Sequence, residues 1–415
     1  MIKSSEENPF SCSIYESTWL KHFYNNQSSL NVNAIEGVQF IKHKYFPFLV
    51  NVGTNTTNGL VYSLNIKASD FKGGVYLIYD VPNYYKVKNE NESRNLKIKK
   101  IRQYSGFATS LKDVQNSDEF INSKFSSGSR KRFRRSFRRL ESCTKITYKT
   151  YYGEVSKDEY NILLEQFKSL IKKRYDELKM EVTLISRWPF FEDLLYPMIQ
   201  NKKAAIFGIY SNGTPISLSM VFLNNDTLFN AVKAFDADYY KFNIGHLDIS
   251  RILEWCLENN ITTIDFSKGE YEYKTRWTNM KYYYECNIIY DSKSFVASST
   301  ALLLSKYFWL KQYLRDKNIN LLYTKFKYGI KNLLDFKKEK SKFIIEDLNN
   351  FKLNGLQKEI DLIDPEFSFL KRITLDTLYS NPEPLSSIKA YISNNQNSEI
   401  YYVIGNKNKF TVRFR

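Results

Sequence analysis

The chain has 415 residues, which is too long for one typical domain and suggests two or three. Hydrophobic residues make up 43% of it and aromatic residues 16%, so it can form packed cores. Its 15 Gly and 9 Pro are too few for a collagen-like or low-complexity protein. The 61 Lys and Arg exceed the 44 Asp and Glu by 17, which favours an anionic partner such as a phosphate, a nucleic acid or a membrane surface.

The first 140 residues are predicted to form strands and then a basic helical segment. Four runs rich in Val, Ile, Tyr and Phe, bounded by Asn, Gly and Pro, are typical of strands. These runs are residues 38–41, 48–52, 60–66 and 74–81. Residues 112–140 change to a helical and strongly basic pattern.

A second unit is predicted to begin near Thr147. A capping box, Ser156 to Glu159, precedes an amphipathic helix, and residues 188–199 form another. Three strands follow in an antiparallel meander, with an Asn212-Gly213 turn between the first two. They are residues 204–210, 215–223 and 227–235. Next come a helix after Gly245, then strands at 261–266 and 282–290.

The remaining chain is predicted to contain two helices, at residues 302–314 and 321–336, and two final strands, at 400–404 and 410–414. Its apolar stretch at 297–310 is interrupted by Lys306 and is too short to span a membrane. The first seven residues have no apolar core, so we expect no secretory leader.

Cysteine and histidine spacing argues against a metal site. The four cysteines stand alone, and the three histidines are scattered. We therefore expect a reduced cytoplasmic protein without disulfides or a metal, with a peripheral position at the inner face of the membrane as the alternative.

The segment from Tyr240 to Leu247 joins a strand to a helix, and it contains Asn243, Gly245 and His246. A helix N-terminus has free N–H groups and a partial positive charge, and glycine lets a phosphate approach them. We interpret Asn243, Gly245, His246 and Leu247 as a pyrophosphate site. The alternative is an ordinary turn glycine before a core helix.

The segment from Ile264 to Trp277 follows the next strand and brings carboxylates and cations together. Open α/β sheets place ligands at the carboxyl ends of their strands, where Asp265 is predicted to lie. Lys274 and Trp277 would then bind substrate, and Glu270 and Asp265 would be candidate catalytic carboxylates. The alternative is a solvated loop with Trp277 packed on the sheet.

Seven of the ten residues from Arg130 to Arg139 are cationic, and Phe133, Phe137 and Leu140 form one apolar stripe. Such a helix can bind phosphates, RNA or acidic lipid headgroups, with Arg134 and Arg138 as candidate contacts. The alternatives are a solvated basic helix or a bridge between two domains.

In this order the motifs resemble the CelD/BcsL-type acetyltransferases of the GNAT superfamily, over roughly residues 120–285. The matching positions are Arg134, Arg135, Arg138, Arg139 and Leu140, then Gly245 with its helix, then Asp265, Phe266, Gly269, Tyr273, Lys274 and Trp277. The usual phosphate loop of the superfamily has two glycines, whereas here Gly245 stands alone. The Fem-type transferases share this fold and take their acyl group from aminoacyl-tRNA, so that donor stays open.

The resemblance implies direct acyl transfer without a covalent enzyme intermediate. The strand before Gly245 would stabilise the thioester oxygen, and Glu270 or Asp265 would take the proton of the amine. Glu270 is the preferred base, because Asp265 is expected to orient the loop by accepting backbone N–H bonds. Tyr239 would reprotonate the thiolate. The donor would be acetyl-CoA or another acyl-CoA, and no metal is needed.

The resemblance also implies an α/β fold of two tandem GNAT-like mixed sheets flanked by helices, with a C-terminal extension. We predict a degenerate N-terminal half at 1–140, an acyltransferase domain at 141–297 and an extension of unknown role at 298–415. The predicted function is N-acylation of a small-molecule or sugar-linked amine of a cell-envelope or polysaccharide precursor. The alternatives are an aminoacyl-tRNA-dependent Fem-like transferase and a non-enzymatic protein that binds tRNA or a membrane surface through Arg130 to Arg139.

Overall fold

The computed structural model describes most of the chain, and the ranges that follow are its described residues. They are 8–90, 92–93, 95–178, 183–319, 343–348, 357–362, 364–395 and 398–414. The predicted helix at 321–336 lies outside them.

Helices and strands alternate irregularly along the first 300 residues. The strands are β1 (Ile35–Glu36), β2 (Phe40–Lys42), β3 (Leu49–Asn51), β4 (Ser63–Leu64), β5 (Val75–Pro82), β6 (Leu96–Ser110), β7 (Ile146–Tyr151), β8 (Ala204–Ser211), β9 (Thr214–Leu223), β10 (Thr227–Phe235), β11 (Thr263–Lys268) and β12 (Met280–Asp291). The helices are α1 (Ser13–Phe23), α2 (Ser117–Lys124), α3 (Ser127–Cys143), α4 (Lys157–Leu178), α5 (Thr183–Ser186), α6 (Trp188–Gln200), α7 (Ile244–Glu258), α8 (Glu272–Trp277) and α9 (Phe295–Asp316).

A single mixed sheet of ten strands joins both halves of the chain. Its order is β2-β3-β5-β12-β6-β11-β10-β9-β8-β7. The late strand β12 inserts between β5 and β6, and it pairs antiparallel with both. The predicted α/β class, a mixed sheet flanked by helices, is confirmed, with the sheets of the two halves continuous.

Helices cover both faces of this sheet because its central strands are apolar on both sides. Ile206 and Phe207 are neighbours in β8 and point to opposite faces, so they enter separate cores. One core holds the buried sides of α1, α4 and α6, and the other those of α2, α3 and α7. Ser156 caps α4 as predicted, with its hydroxyl accepting the Glu159 N–H at 3.2 Å, while the Glu159 carboxylate lies 3.6 Å from Lys149 Nζ.

The longest strand, β6, was not predicted from the sequence. Its first half carries Lys97, Lys99, Lys100 and Arg102, which masks the period-two pattern. Strand β11 pairs only with the last residues of β6, from Gly106 onward, so the basic half has β12 on one side and no described strand on the other. Edge positions of this kind tolerate lysine, because its long side chain reaches solvent.

The C-terminal extension is a five-stranded antiparallel sheet that packs on the rest of the protein through one helix. Its elements are β13 (Phe343–Asp347), β14 (Gln357–Ile360), α10 (Ser368–Ser380), β15 (Lys389–Asn395), β16 (Ser398–Ile404) and β17 (Lys409–Phe414), in the sheet order β13-β17-β16-β15-β14. Leu375 and Leu378 of α10 share a core with Leu140 of α3 and Phe242 of the 3₁₀ turn Ala237–Phe242. The extension therefore rests beside the segment that leads into α7.

A buried ion network fixes this junction. The Asp236 carboxylate lies 2.6 Å from Lys173 Nζ of α4 and 3.1 Å from Lys371 Nζ of α10, and Lys173 also contacts Asp238 at 2.6 Å. Burial by itself would raise the pKa of Asp236, but Lys371 and Lys173 outweigh it and lower that pKa. The pKa of Asp238 is raised, mainly by burial and by Asp236.

We predict that Asp236→Asn lowers the free energy of unfolding by about 3 kcal/mol, because it leaves two partly buried lysines without their shared carboxylate. The native pKa of Asp236 lies below its unfolded value, so this contribution is full at neutral pH and is lost as pH falls into the acid range. Chemical denaturation at pH 7 measures the loss. The exposed Asp113→Asn is the control, and equal stability of the two variants would contradict the prediction.

Candidate active site

Two parallel strands separate at the centre of the sheet and leave a wedge between them. Strands β10 and β11 pair through only three residue pairs, the last of which is Phe229 with Asp265. Strand β10 has an irregularity after Asn230, and β11 turns at Ser267, whose φ is +61°. From Asn230 to Phe235, β10 therefore has β9 on one side and no described strand on the other. Backbone groups on that side face the wedge.

Helix α7 begins beside this wedge with an uncapped N-terminus. Asn243 adopts the left-handed conformation (φ +58°) and its side chain donates to the Ser136 hydroxyl of α3 at 2.8 Å, so it does not cap the helix. The described residues provide no acceptor for the N–H groups of Ile244 and Gly245. A Cβ placed on Gly245 would meet only the Phe235 ring, at 4.0 Å. The predicted position of Gly245 in the first turn of a helix is therefore observed, and Leu247 is buried behind it.

His246, the next residue, is held by Trp277. The indole Nε1 donates to His246 Nδ1 at 2.8 Å, and the Phe133 ring lies 4.5 Å from the imidazole. An indole N–H can only donate, so Nδ1 accepts and the proton of the neutral imidazole lies on Nε2. Burial, and then the charges of Lys233, Arg276 and Arg132, lower the pKa of His246 to about 4. At neutral pH His246 is therefore a fixed N–H donor surrounded by cations.

Lys233 of β10 connects the wedge to α7. Its Nζ lies 2.8 Å from the Asp248 carboxylate and donates to the Gly245 carbonyl at 2.7 Å. The Ser219 hydroxyl also donates to Asp248, at 2.8 Å. These buried contacts hold the first turn of α7 against the sheet, so the open N–H groups have a fixed direction.

Asp265 lies inside β11 and is fully buried. Its carboxylate accepts the Ser267 N–H at 2.7 Å, the Tyr282 hydroxyl at 2.6 Å and the Tyr84 hydroxyl at 3.5 Å. Burial raises its pKa to about 6, although the bonds from Tyr282 and Ser267 oppose this. The Tyr282 hydroxyl oxygen also lies 2.7 Å from that of Tyr284, and Tyr284 donates to a backbone carbonyl of the N-terminal half. A carboxyl group with this pKa can exchange a proton near neutral pH.

The other residues predicted as catalytic or substrate-binding have more ordinary surroundings. Glu270 is exposed, accepts from Lys281 at 2.7 Å and Ser105 at 2.9 Å, and these bonds lower its pKa. Lys274 is buried and donates to the carbonyls of Ser267 and Lys268, so it holds the loop.

Tyr239 is also enclosed, with its hydroxyl 3.2 Å from that of Ser211. Burial raises the pKa of Tyr239 to about 12. On α3, Arg134 and Arg138 are exposed, and no described carboxylate lies within 4.0 Å of either guanidinium. The structure thus brings Gly245, His246 and Trp277 together and leaves Glu270 and Tyr239 outside that group.

Several groups at the site were missed at the level of sequence. Lys233 could have been noticed, because it is the one charge in the apolar run Thr227–Phe235. Tyr84 and Tyr282 gave no signal, since Tyr84 lies in the turn after β5, Tyr282 lies in β12, and the chain contains 32 tyrosines.

Residues 127–275 match the family model of the acetyltransferase (GNAT) domain. This span starts at the beginning of α3 and ends in α8, so it contains β10, β11, Gly245 and His246. The match supports a GNAT-type acyltransferase domain in this part of the chain, which agrees with the superfamily that the motifs resemble. It does not distinguish the CelD/BcsL type from others.

Solved structures give weaker likenesses to the whole fold. FemX is 12% identical, with a TM-score of 0.48 over 71% of this chain and 97% of that one. A conserved protein from Bacteroides thetaiotaomicron is 9% identical, with a TM-score of 0.45 over 69% and 92%. A GCN5-related N-acetyltransferase from Kribbella flavida is 9% identical, with a TM-score of 0.30 over 66% and 93%. Likenesses this distant say nothing about activity. No curated protein matches the chain.

We predict that Trp277→Phe raises the pKa of His246 above its native value of about 4 by about 0.7, because the lost indole bond, worth about 1 kcal/mol, favours the neutral imidazole. NMR titration of the imidazole signals measures it, and the chain has only three histidines to assign. The native pKa lies below the ordinary 6.5, so His246 destabilises the fold progressively as pH falls from 6.5 to 4. An unchanged His246 titration in Trp277→Phe, with the exposed Trp309→Phe as control, would contradict the assigned hydrogen bond.

Proposed function

We propose that the protein is a cytoplasmic N-acyltransferase of the CelD/BcsL type that moves an acyl group from acyl-CoA to an amine. The acceptor would be a small-molecule or sugar-linked amine of a cell-envelope or polysaccharide precursor. The observation that carries the proposal is the open first turn of α7, with unpaired N–H groups at Ile244 and Gly245 beside the His246 donor. This arrangement suits a phosphate-rich donor.

Donor binding follows from the charges around α7. The N–H groups of Ile244 and Gly245 would bind the pyrophosphate, with His246 Nε2–H as a further donor. Lys233, Arg276 and Arg132 act on His246 electrostatically, so they supply positive potential at the same place. Asn243 contributes by leaving the helix uncapped, and Trp277 by fixing the imidazole.

Acyl transfer requires the amine to reach the thioester carbonyl in the wedge. The C–N bond forms as the carbonyl becomes tetrahedral, and the C–S bond then breaks to release the CoA thiolate. The unpaired edge of β10 beyond Asn230 presents backbone groups to the wedge, and N–H groups there would stabilise the oxyanion. The proton of the attacking ammonium must leave before or during attack.

Asp265 is the better proton acceptor of the two predicted carboxylates. Its pKa of about 6 is close to neutral, whereas Glu270 is bound to Lys281 and its pKa is lowered, which makes it a weaker base. Since Asp265 is fully enclosed, the proton would reach it through the Tyr84 or Tyr282 hydroxyl. Tyr239 is bound to Ser211 inside the protein, so we assign the proton for the thiolate to solvent.

An aminoacyl-tRNA donor is the second candidate, and one observation favours it. Most cationic side chains of α3 are exposed, and Phe133 of α3 packs against His246 of the candidate active site. A tRNA on this face would bind through Arg134 and Arg138, and its affinity would fall steeply with salt. The same surface would serve a non-enzymatic nucleic-acid-binding protein, which would not need the open turn of α7.

We predict that Gly245→Val abolishes acyl-CoA binding, because the valine side chain covers the N–H groups that face the phosphate. The fold should persist, since the only atom near a new Cβ is 4.0 Å away. Calorimetric titration with acetyl-CoA measures the affinity. Gly128→Val is the matched control, because Gly128 is likewise the second residue of a helix and has open space around it. Unchanged affinity in Gly245→Val would rule out this donor site. If tRNA binds, and Arg134→Ala weakens this binding whereas Gly245→Val does not, tRNA is a partner of α3.

We predict that Asp265→Asn lowers kcat by about 10²–10⁴, the usual contribution of a general base, while Glu270→Gln changes it by less than about threefold. In the native protein kcat should rise with pH through about 6 as Asp265 loses its proton. Steady-state rates between pH 5 and 8 give both results. If the role of Asp265 were purely structural, the residual activity of Asp265→Asn would keep the pH dependence of the native protein. Greater loss in Glu270→Gln would assign the base to Glu270.

A further inference from the structure

Helix α9 is apolar on both of its faces, although only one of them is packed. Ala297, Ala301 and Phe308 lie on the sheet with Leu77 and Ile288. The opposite face also carries large apolar side chains, and these point outward. They are Phe295, Val296, Leu302, Leu303, Tyr307, Trp309, Leu310, Tyr313 and Leu314. A helix that is apolar all round normally lies inside a protein or against a lipid phase.

The exposure of this outer face is large. Leu303 is 69% exposed, Trp309 62% and Tyr307 56%. Monomeric soluble proteins rarely expose a continuous apolar patch of this kind, and such patches mark interaction sites. A second pair of exposed aromatics, Tyr45 and Phe46, lies in the turn between β2 and β3. Phe48 of the same turn packs in one core with Ala297. We call the outer face of α9 together with this turn the α9 surface.

The charges within the α9 surface are almost all positive. From Phe295 to Lys317 the only acidic residue is Asp316, and it is paired with Arg102. Lys306 sits within the apolar face, and Lys311 and Lys317 lie over the rings of Tyr307 and Tyr313. The turn between β2 and β3 adds Lys44, and Lys42 lies next to it at the end of β2.

We propose that the α9 surface binds the surface of an anionic lipid bilayer, with α9 lying in the plane of the headgroups. Leucine and aromatic side chains would enter the boundary between headgroups and acyl chains, and the lysines would reach the phosphates. A protein partner is less suitable because the centres of protein interfaces are depleted in lysine, whereas Lys306 lies within this one. Among the described helices, none is long and apolar enough to cross a bilayer.

The position of α9 relates the bilayer to the active site. Arg315, near the end of α9, lies 4.1 Å from the Tyr104 ring, and Lys268 of β11 lies 5.6 Å from the same ring. Lys268 is also 5.3 Å from Tyr284, which belongs to the Asp265 network. Headgroups beside the end of α9 would thus be close to the proposed base. Membrane binding itself does not depend on the proposed acyltransferase function.

The test is sedimentation of the full chain with vesicles of phosphatidylglycerol and phosphatidylcholine, and with vesicles of phosphatidylcholine alone. We expect binding to the mixed vesicles that weakens with salt, and a loss of about tenfold or more in the double variant Leu303→Glu, Trp309→Glu. Ile162→Glu, on α4, is the matched control because Ile162 is also 62% exposed. These substitutions lie at exposed positions, so the circular dichroism spectrum and the melting temperature should be unchanged and would show that the variants are folded.

Tryptophan fluorescence gives a direct reading of the contact. Trp19, Trp188 and Trp277 are buried, whereas Trp309 is exposed. Vesicles should therefore shift the emission of the native chain to shorter wavelength, and Trp309→Phe should remove most of that shift while binding persists.

Three results would overturn the proposal. The first is equal vesicle binding by the native chain and by Leu303→Glu, Trp309→Glu, or no binding by either. The second is loss of binding only when Arg134 and Arg135 are changed to Glu, which would assign the membrane contact to α3. The third is a native dimer that the α9 variant converts to a monomer in sedimentation velocity, without vesicle binding, which would assign the surface to a second copy of the chain.

Discussion

The bend of β11 at Asp265 determines the shape of the candidate active site. The buried carboxylate accepts the Ser267 N–H, and Ser267 takes a left-handed conformation that β-strands do not use. Strand β11 therefore leaves β10 after three paired residues, and the wedge opens at that point. Lys274 stabilises the bend by donating hydrogen bonds to the carbonyls of Ser267 and Lys268. The same carboxylate thus holds the loop and, in our proposal, takes the proton of the acceptor.

The site draws on both halves of the chain because they share one sheet. Strand β12 crosses back between β5 and β6, and it brings Tyr282 and Tyr284 beside Asp265. The N-terminal half adds Tyr84, and its buried Asp80 lies 2.7 Å from Lys268 Nζ. The matched GNAT span ends at residue 275, before β12 begins. Gly245 and His246, which we propose to bind the donor, therefore lie within that span, while Trp277 and the tyrosines of the Asp265 network lie outside it.

Positive charge accompanies both places where we propose anionic partners. Around α7, burial and then the neighbouring cations lower the pKa of His246 and keep it a neutral donor at physiological pH. Around α9, lysines accompany an exposed apolar face. These two surfaces differ in chemistry, because the first offers directed N–H groups and the second offers apolar area with diffuse charge. A phosphate ester suits the first surface and a bilayer suits the second.

Local sequence patterns determined much of the secondary structure. Helical periodicity and a capping box predicted α4, apolar runs with an Asn-Gly turn predicted β8 and β9, and one glycine predicted where α7 begins. These features depend on residues a few positions apart, so they can be read along the chain. The same reading missed β6, because its solvent-facing lysines conceal the strand pattern.

Tertiary structure alone decided the partners of the functional groups. Trp277 meets His246 across 31 positions and Tyr84 meets Asp265 across 181, and nothing near either residue indicates the other. The pairing of β12 with both β5 and β6 creates the second contact, and the packing of α8 on α7 creates the first. Sequence therefore named Asp265, Gly245 and His246. The protonation of Asp265 and His246 depends on burial and on neighbouring charges, and both of these arise only in the folded protein.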